Sequence, residues 1–313
     1  MARYRFMLEP RPPFRLDLTV WALRRQPHNL VDRWDGHSYR RVLPVGATAA
    51  GIEVTQRGSP ETPQLLVRVE TGHGAGDVKS SVTAALQRLL GLDIDLGAFY
   101  ALAHDDPWLA PLAQRFRGFK PPRFTTPFEA LVNAIACQQL SLHVGILLLN
   151  RLAQRFGARA ADGHAFPVPA GLARRRVDSL RALGFSRHKA QTVIDVARGV
   201  VRGEVDLERL TADDDTAAVE HLCALRGIGR WSAEYVLLRG LGRTHVFPGD
   251  DVGARNNLHR WLQRTRALDY DGVQRVLKPW RPYGGLIYLH LLLDGLARKG
   301  LVTPVAETPQ AGY

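Results

Sequence analysis

The hydrophobic period of this chain changes once, and that change limits its fold more than any other feature. Up to about residue 75, apolar and polar residues alternate: Tyr4, Phe6 and Leu8, then HSYRRVLPV over 37–45, AGIEVTQ over 50–56 and QLLVRVE over 64–70. A period of two places alternate side chains on one face of a strand, and Asp35-Gly36 with the Gly/Pro/Ser clusters between these runs predicts turns, hence an antiparallel sheet. A helix carrying Val78, Val82, Ala85, Leu86 and Leu89 on one side closes this unit. Beyond about residue 106 the period is helical and stays so. Thr126-Pro127-Phe128-Glu129 reads as a capping box with proline at the first helical position, launching a helix through Leu131, Ile135 and Cys137. Further helices are predicted at 142–156, 173–183, 188–202, 216–225, 231–241, 252–264 and 283–298, joined mostly by short connections bearing glycine. The expected fold is an α+β N-terminal antiparallel sheet domain over 1–105 and a mostly α-helical domain over 106–304, with 305–313 a flexible tail.

At 313 residues and 45% hydrophobic content the chain can bury a large core. Its formal net charge of +12 makes a polyanion the expected partner, nucleic acid first. Arginine far outnumbers lysine, and a general arginine bias would produce the same charge, so charge alone does not decide. The two cysteines, Cys137 and Cys223, each lie in an apolar helical run, which predicts buried reduced thiols, no disulfide and no metal cage. No run of about 18 apolar residues occurs, and the first ten residues lack the apolar core of a signal peptide. A soluble, cytoplasmic monomer with no membrane partner is expected. The histidines show no metal-ligand spacing, and the H-x-E with P-C-x-x-C pattern of zinc deaminases, the P-loop and the G-x-S-x-G elbow are all missing.

Between Leu225 and Asp251 two helical segments are pinched around Gly227-Ile228-Gly229, and an extended stretch then ends in Asp250-Asp251. Glycines one residue apart leave backbone N–H groups unhindered at a helix start, where they can face a phosphate. The same pair also serves as an ordinary helix–helix turn, with Ile228 as the plug. Arg226 and Arg230 beside the glycines favour a phosphate clamp. Asp250 and Asp251 precede a helix, and a plain N-cap explains one of them. The other would sit where the helix dipole favours an ionised carboxylate, suited to a developing cation. Trp231 and Tyr235, one helical turn apart, are either core or an aromatic slot that stacks an extruded base. Gln138-Gln139-Leu140-Ser141 interrupts an apolar pattern and is either a helix end or the place from which a Gln or Leu fills the gap left by such a base.

With these motifs the chain resembles the DNA-3-methyladenine glycosylase II family of the helix-hairpin-helix DNA glycosylase superfamily. The resemblance runs from the early sheet to about Ala297 and is strongest over 127–152 and 225–258. It implies that Gly227 and Gly229 bind the DNA backbone with Arg230, with Ser232 at the adjoining hydroxyl position. It implies that Asp251 is the catalytic carboxylate, with Asp250 as neighbour or cap, and that Trp231 and Tyr235 contact the base. Gln139, or alternatively Leu140, becomes the residue wedged into the duplex. Carbonyls of Cys223, Leu225 and Gly227 match positions that hold a monovalent cation, Na or K; no other cofactor is implied, and the four-cysteine iron–sulfur pattern of some relatives is missing. Relatives that also cut the strand carry a Schiff-base lysine where this chain has Trp231, so water is the implied nucleophile and no lyase step follows. Leu289 stands where the best-known relatives carry a pocket tryptophan.

The implied activity is hydrolysis of the N-glycosidic bond of alkylated bases of the 3-methyladenine and 7-methylguanine type, flipped out of double-stranded DNA, at the start of base excision repair. The alternatives are a glycosylase for oxidised, etheno or deaminated bases, and a helix-hairpin-helix module that binds DNA without catalysis.

Overall fold

The computed structural model describes residues 2–46, 48–72 and 76–304; the expected tail at 305–313 lies outside them. Strand β1 (Ala2–Leu8) is followed by helix α1 (Leu16–Arg24), the short β2 (Arg33–Trp34), β3 (Ser38–Val45), β4 (Thr48–Arg57) and β5 (Gln64–Thr71). Every pairing is antiparallel, in the order β1-β5-β4-β3-β2, with Tyr4 and Ile52 both opposite Val69. Helices α2 (Gly76–Leu90), α3 (Gly97–His104), α4 (Leu109–Arg115), α5 (Pro127–Cys137) and α6 (Leu142–Phe156) come next. After a small hairpin of β6 (Arg159–Ala160) and β7 (Gly163–His164), the chain forms α7 (Pro169–Ala173), α8 (Val177–Arg181), α9 (Arg187–Arg202), α10 (Asp215–Cys223) and α11 (Arg230–Val236). The last elements are α12 (Val252–Trp261), α13 (Tyr270–Leu277) and α14 (Gly284–Ala297). An antiparallel sheet followed by a helical array is thus the architecture.

Two apolar cores hold it, and each draws on both sides of residue 105. One joins Ile52, Val54, Val67 and Val69 of the sheet to α2, α5, α6 and α9; the other joins α3 and α4 to α12, α13 and α14. Helix α1 feeds both, with Leu16, Val20 and Leu23 in the first core and Leu18 and Ala22 in the second. This helix escapes the sequence pattern because L-D-L-T-V alternates like a strand, while burial on all sides erases the helical period. A buried ion pair fastens the sheet to the start of α5: Arg41 reaches Asp32 and Glu129, each at 2.6 Å, and Tyr39 donates to Asp32 at 2.8 Å.

That pair alters the capping box. Thr126 Oγ1 accepts the Glu129 N–H at 3.1 Å, so the N-cap forms, but the Glu129 carboxylate turns to Arg41 and to the Thr125 N–H instead of closing the box. Of the single helix expected over 173–183 only α8 forms, and the short α7 ends at Ala173, where that helix was to begin. Arg198 of α9 donates to the carbonyls of Ala173 and Arg175 at 3.0 and 3.3 Å, taking up acceptors that a continuous helix would have used. The cysteines are unpaired, but only Cys137 is partly buried, against Gly145; Cys223 ends α10 and is exposed, because that turn of α10 faces solvent. Among the described residues no helix is long and apolar enough to cross a membrane.

Candidate active site

Helices α10 and α11 meet at a hairpin whose turn is left-handed at Gly227 (φ 85°). A Cβ there would stand 2.5 Å from Thr192 Oγ1 and 2.9 Å from His188 Nε2, so both the backbone and the approach of α9 demand glycine. Ile228 is buried as the plug of the hairpin. Gly229 caps α11 and has only open space where a side chain would stand. Gly229, Arg226 and Arg230 are all exposed, so unpaired amides of a helix start and two guanidiniums share one accessible turn.

Ser232 does not join that surface. It lies on the face of α11 that packs on α5, is 1% exposed, and its Oγ accepts from Gln138 Nε2 at 2.9 Å. The same amide donates to the Gly227 carbonyl at 3.0 Å, and the Leu225 carbonyl accepts the Ile228 N–H at 3.1 Å. Two of the three oxygens of Cys223, Leu225 and Gly227 thus accept one N–H each, and a carbonyl keeps a second lone pair beside such a bond, with which these residues would hold a Na or K ion.

Asp251 combines two tasks expected to be divided between neighbouring carboxylates. Its Oδ1 accepts the Ala254 N–H at 2.8 Å as the N-cap of α12, while Oδ2 accepts from Trp231 Nε1 at 3.2 Å and Tyr288 Oη at 3.0 Å. Asp250 is the neighbour and not the cap, paired with Arg230 Nε at 2.9 Å. Asp251, Trp231, Tyr235 and Tyr288 line a cavity of about 380 Å³, with Leu140 and Leu142 also in its wall. Burial, and then the Asp251 charge, hold the Tyr288 phenol well above its ordinary pKa, so it stays a donor.

The Trp231 and Tyr235 rings lie 5.7 Å apart, tilted by 32°. Trp231 is half-buried and offers a face to the cavity, whereas Tyr235 is 5% exposed and forms its floor, its hydroxyl accepting from Arg25 Nη1 at 2.8 Å. The two are therefore not an equal stacking pair. Leu289 is fully buried in the second core; the pocket aromatic from α14 is Tyr288, one residue earlier. Gln139 and Leu140 are both exposed between α5 and α6, with Gln139 left-handed (φ 51°), a conformation that costs a non-glycine residue about 1 kcal/mol. Lys189 holds this loop by donating to the carbonyls of Ala136 and Gln138 at 3.1 and 2.5 Å.

Behind Asp251 a second set of residues fixes the turn at 248–251. Glu234 Oε2 accepts the Gly249 N–H at 3.1 Å and Oε1 accepts from Tyr270 Oη at 2.6 Å. The Tyr270 ring packs so closely that a Cβ on Gly249 would lie 2.6 Å from it, and the Arg230 guanidinium covers the same ring at 3.7 Å. Burial raises the Glu234 pKa, and burial with the bond to Glu234 pushes Tyr270 up to about 12. Sequence reasoning missed Glu234, Tyr270, Tyr288, Arg25 and Arg239. The usable signals were a lone arginine in the apolar run Leu237–Leu241 and a glutamate four residues after Arg230 on one helix face.

A larger cavity, about 770 Å³, lies over the sheet, but its walls are closed by ion pairs such as Arg3–Glu70, Arg33–Asp162 and Arg68–Glu53.

Comparison with known proteins agrees with this layout. Residues 132–282 match the HhH-GPD superfamily of base excision DNA repair proteins, and residues 5–125 match the AlkA N-terminal domain. The chain is 26% identical over 293 residues to DNA-3-methyladenine glycosylase 2 of Escherichia coli K12, covering 91% of this chain and 96% of that one. It superposes on a 3-methyladenine DNA-glycosylase from Archaeoglobus fulgidus with a TM-score of 0.80 at 25% identity, over 95% of this chain and all of the other. A Schizosaccharomyces pombe 3-methyladenine DNA glycosylase in complex with abasic DNA matches with a TM-score of 0.54 at 25% identity, over 61% of this chain and 92% of that one. With both halves matched and the hairpin, spacer and aspartate in place, the chain belongs to the DNA-3-methyladenine glycosylase II family of the helix-hairpin-helix DNA glycosylase superfamily.

Proposed function

We propose that this protein is a monofunctional DNA glycosylase that hydrolyses the N-glycosidic bond of alkylated bases flipped out of duplex DNA, starting base excision repair. The observation that carries the proposal is the orientation of Asp251, whose Oδ2, not used in the cap, is held by Trp231 and Tyr288 at a cavity that admits a base. The hairpin at Gly229 grips a phosphate of the damaged strand, Arg226 and Arg230 add charge, and Gln139 or Leu140 fills the vacated stack. The extruded base stacks on Trp231, and the sugar lies over Asp251.

A 3-methyladenine or 7-methylguanine nucleotide already carries positive charge, so its base leaves neutral and needs little acid catalysis. The main demand is to stabilise the sugar cation. A carboxylate about 4 Å from that cation, at an effective dielectric near 20, is worth roughly 4 kcal/mol, or about a thousandfold in rate. The same carboxylate orients the water that adds to C1′. Trp231 supports release without strand cutting, since an indole cannot form a Schiff base. A module that only binds DNA has no use for a carboxylate aimed into an aromatic cavity.

The test is to incubate the protein with methylated duplex DNA and identify the bases set free. Released 3-methyladenine or 7-methylguanine, with no adduct trapped by borohydride, is the expected outcome. Intact alkylated DNA, or a covalent adduct, would overturn the proposal.

A further inference from the structure

Two groups at the cavity are costly to the fold and have no part in the hydrolytic step above. Arg25, at the end of α1, is 5% exposed, and Arg239 is 1% exposed; both line the cavity that Asp251 faces. Among the described residues neither guanidinium has a carboxylate within ion-pair distance, and the nearby buried acids Asp32 and Glu129 are both engaged by Arg41. Arg25 donates to Tyr235 Oη at 2.8 Å and Asn133 Oδ1 at 2.6 Å, and Arg239 donates to the Ala22 carbonyl at 3.0 Å. Among the described residues Arg25 Nε and Arg239 Nε and Nη2 have no hydrogen-bond acceptor, and both guanidiniums lie over the Phe124 ring, at 5.5 and 5.1 Å. Burial lowers the Arg239 pKa, whereas Arg25, against the pull of burial, is raised by Tyr235 and Cys137 beside it. Burying two positive charges unpaired is expensive, and unsatisfied buried donors are rare enough to require a reason.

The reason lies in the field. Asp251 and the two guanidiniums line one cavity, so a base held there with its sugar over Asp251 has fixed positive charge beside it. We propose that Arg25 and Arg239 act on the leaving base, stabilising by their charge the negative charge that builds on it as the glycosidic bond breaks. When a neutral base departs, the C1′–N bond breaks with its electron pair on nitrogen, water oxygen bonds to C1′ and releases a proton, and the base takes up a proton from solvent. The leaving nitrogen passes through an anionic state, which preorganised positive charge stabilises. A cationic base instead becomes neutral and draws less on the pair. The inference rests on the glycosylase reading and adds a demand of its own: the arginines matter most for neutral, carbonyl-bearing bases.

The experiment compares single-turnover release of hypoxanthine, a neutral base, with that of 7-methylguanine, a cationic one, from matched duplexes. Arg239→Met removes the charge and keeps the volume. It is expected to hold or raise Tm, because an unpaired buried charge is lost. Hypoxanthine release should fall about a hundredfold and 7-methylguanine release by less than about tenfold. Arg239→Lys keeps the charge and should hold the ratio of the two rates within about threefold of the wild type, and it decides the matter if the Met variant fails to fold. Equal losses on both substrates with a lower Tm would reduce the pair to a structural role. A wild-type protein that releases 7-methylguanine but no hypoxanthine would also overturn the inference while sparing the glycosylase reading; release of neither base would remove both.

Discussion

Replacing Asp251 by asparagine separates the two tasks of this residue. Asparagine caps helices about as well as aspartate, so an amide oxygen in place of Oδ1 keeps the Ala254 N–H satisfied at the 2.8 Å contact. On the cavity side, the amide nitrogen meets the indole N–H of Trp231, which now lacks an acceptor, while the Tyr288 hydroxyl can rotate to accept. One unpaired donor costs about 1 kcal/mol, a fall in Tm of roughly 2–4 °C for a chain of this size. The charge removed from beneath the sugar is worth about 4 kcal/mol, so single-turnover base release should fall about a thousandfold. Binding to a duplex with an abasic site depends on the hairpin and should stay within about twofold. Asp251→Ala should show the same loss of rate with a further fall in stability of about 1 kcal/mol, because the cap goes as well. Release by the asparagine variant within tenfold of wild type would refute the electrostatic role.

Gly229→Ala should leave Tm unchanged, since nothing lies within 4 Å of its Cβ position, yet weaken DNA binding measured by anisotropy; Gly227→Ala should instead lower Tm, because the backbone is left-handed and Thr192 is 2.5 Å away. Glu234→Ala leaves the Gly249 N–H and the Tyr270 hydroxyl without their acceptor, and should cut release at saturating DNA at least about tenfold with little change in Kd. A change confined to Kd would show that this clamp does not position Asp251. His290 is buried among Phe99, Phe116 and Phe119, and burial lowers its pKa to about 4. The unfolded chain, with a pKa near 6.5, then binds the extra proton first, so stability is full above about pH 6.5 and falls toward pH 4; in urea titrations the slope of stability against pH should differ between wild type and His290→Leu in that window only.

Local chemistry made much of this fold legible. Alternation placed the four long strands, and the Thr126 cap and the glycine hairpin each act within a few residues. What stayed hidden depends on distant partners or on missing contrast. Arg25 enters the cavity because α1 ends in a left-handed residue packed against helices more than a hundred residues away, and no local pattern announces that. Helix α14 is apolar on nearly every side, so no polar stripe sets its rotation; the choice between Tyr288 and Leu289 as pocket residue is one step of 100° that hydrophobicity cannot resolve. The Asp250-Asp251 doublet was legible as a site, but the division of labour within it is set by Arg230, which takes Asp250 away.

In the proposed reaction, the placement of Arg230 joins gripping a backbone to breaking a bond. Helix α11 is seven residues long, about 10 Å, and starts at the glycine turn. Residues 230 and 234 share one face and hold the turn that carries Asp251, one through Asp250 and the other through the Gly249 N–H. Residues 231 and 235 share the adjacent face and build the wall and floor of the cavity. A phosphate seated at Gly229 is therefore tied by one short rigid element to both the base slot and the carboxylate. Loops between them would let each drift separately, and a displacement of about 1 Å is enough to cost a hundredfold in rate. With a single helix as the common frame, binding the backbone in register and placing the sugar over Asp251 become the same event.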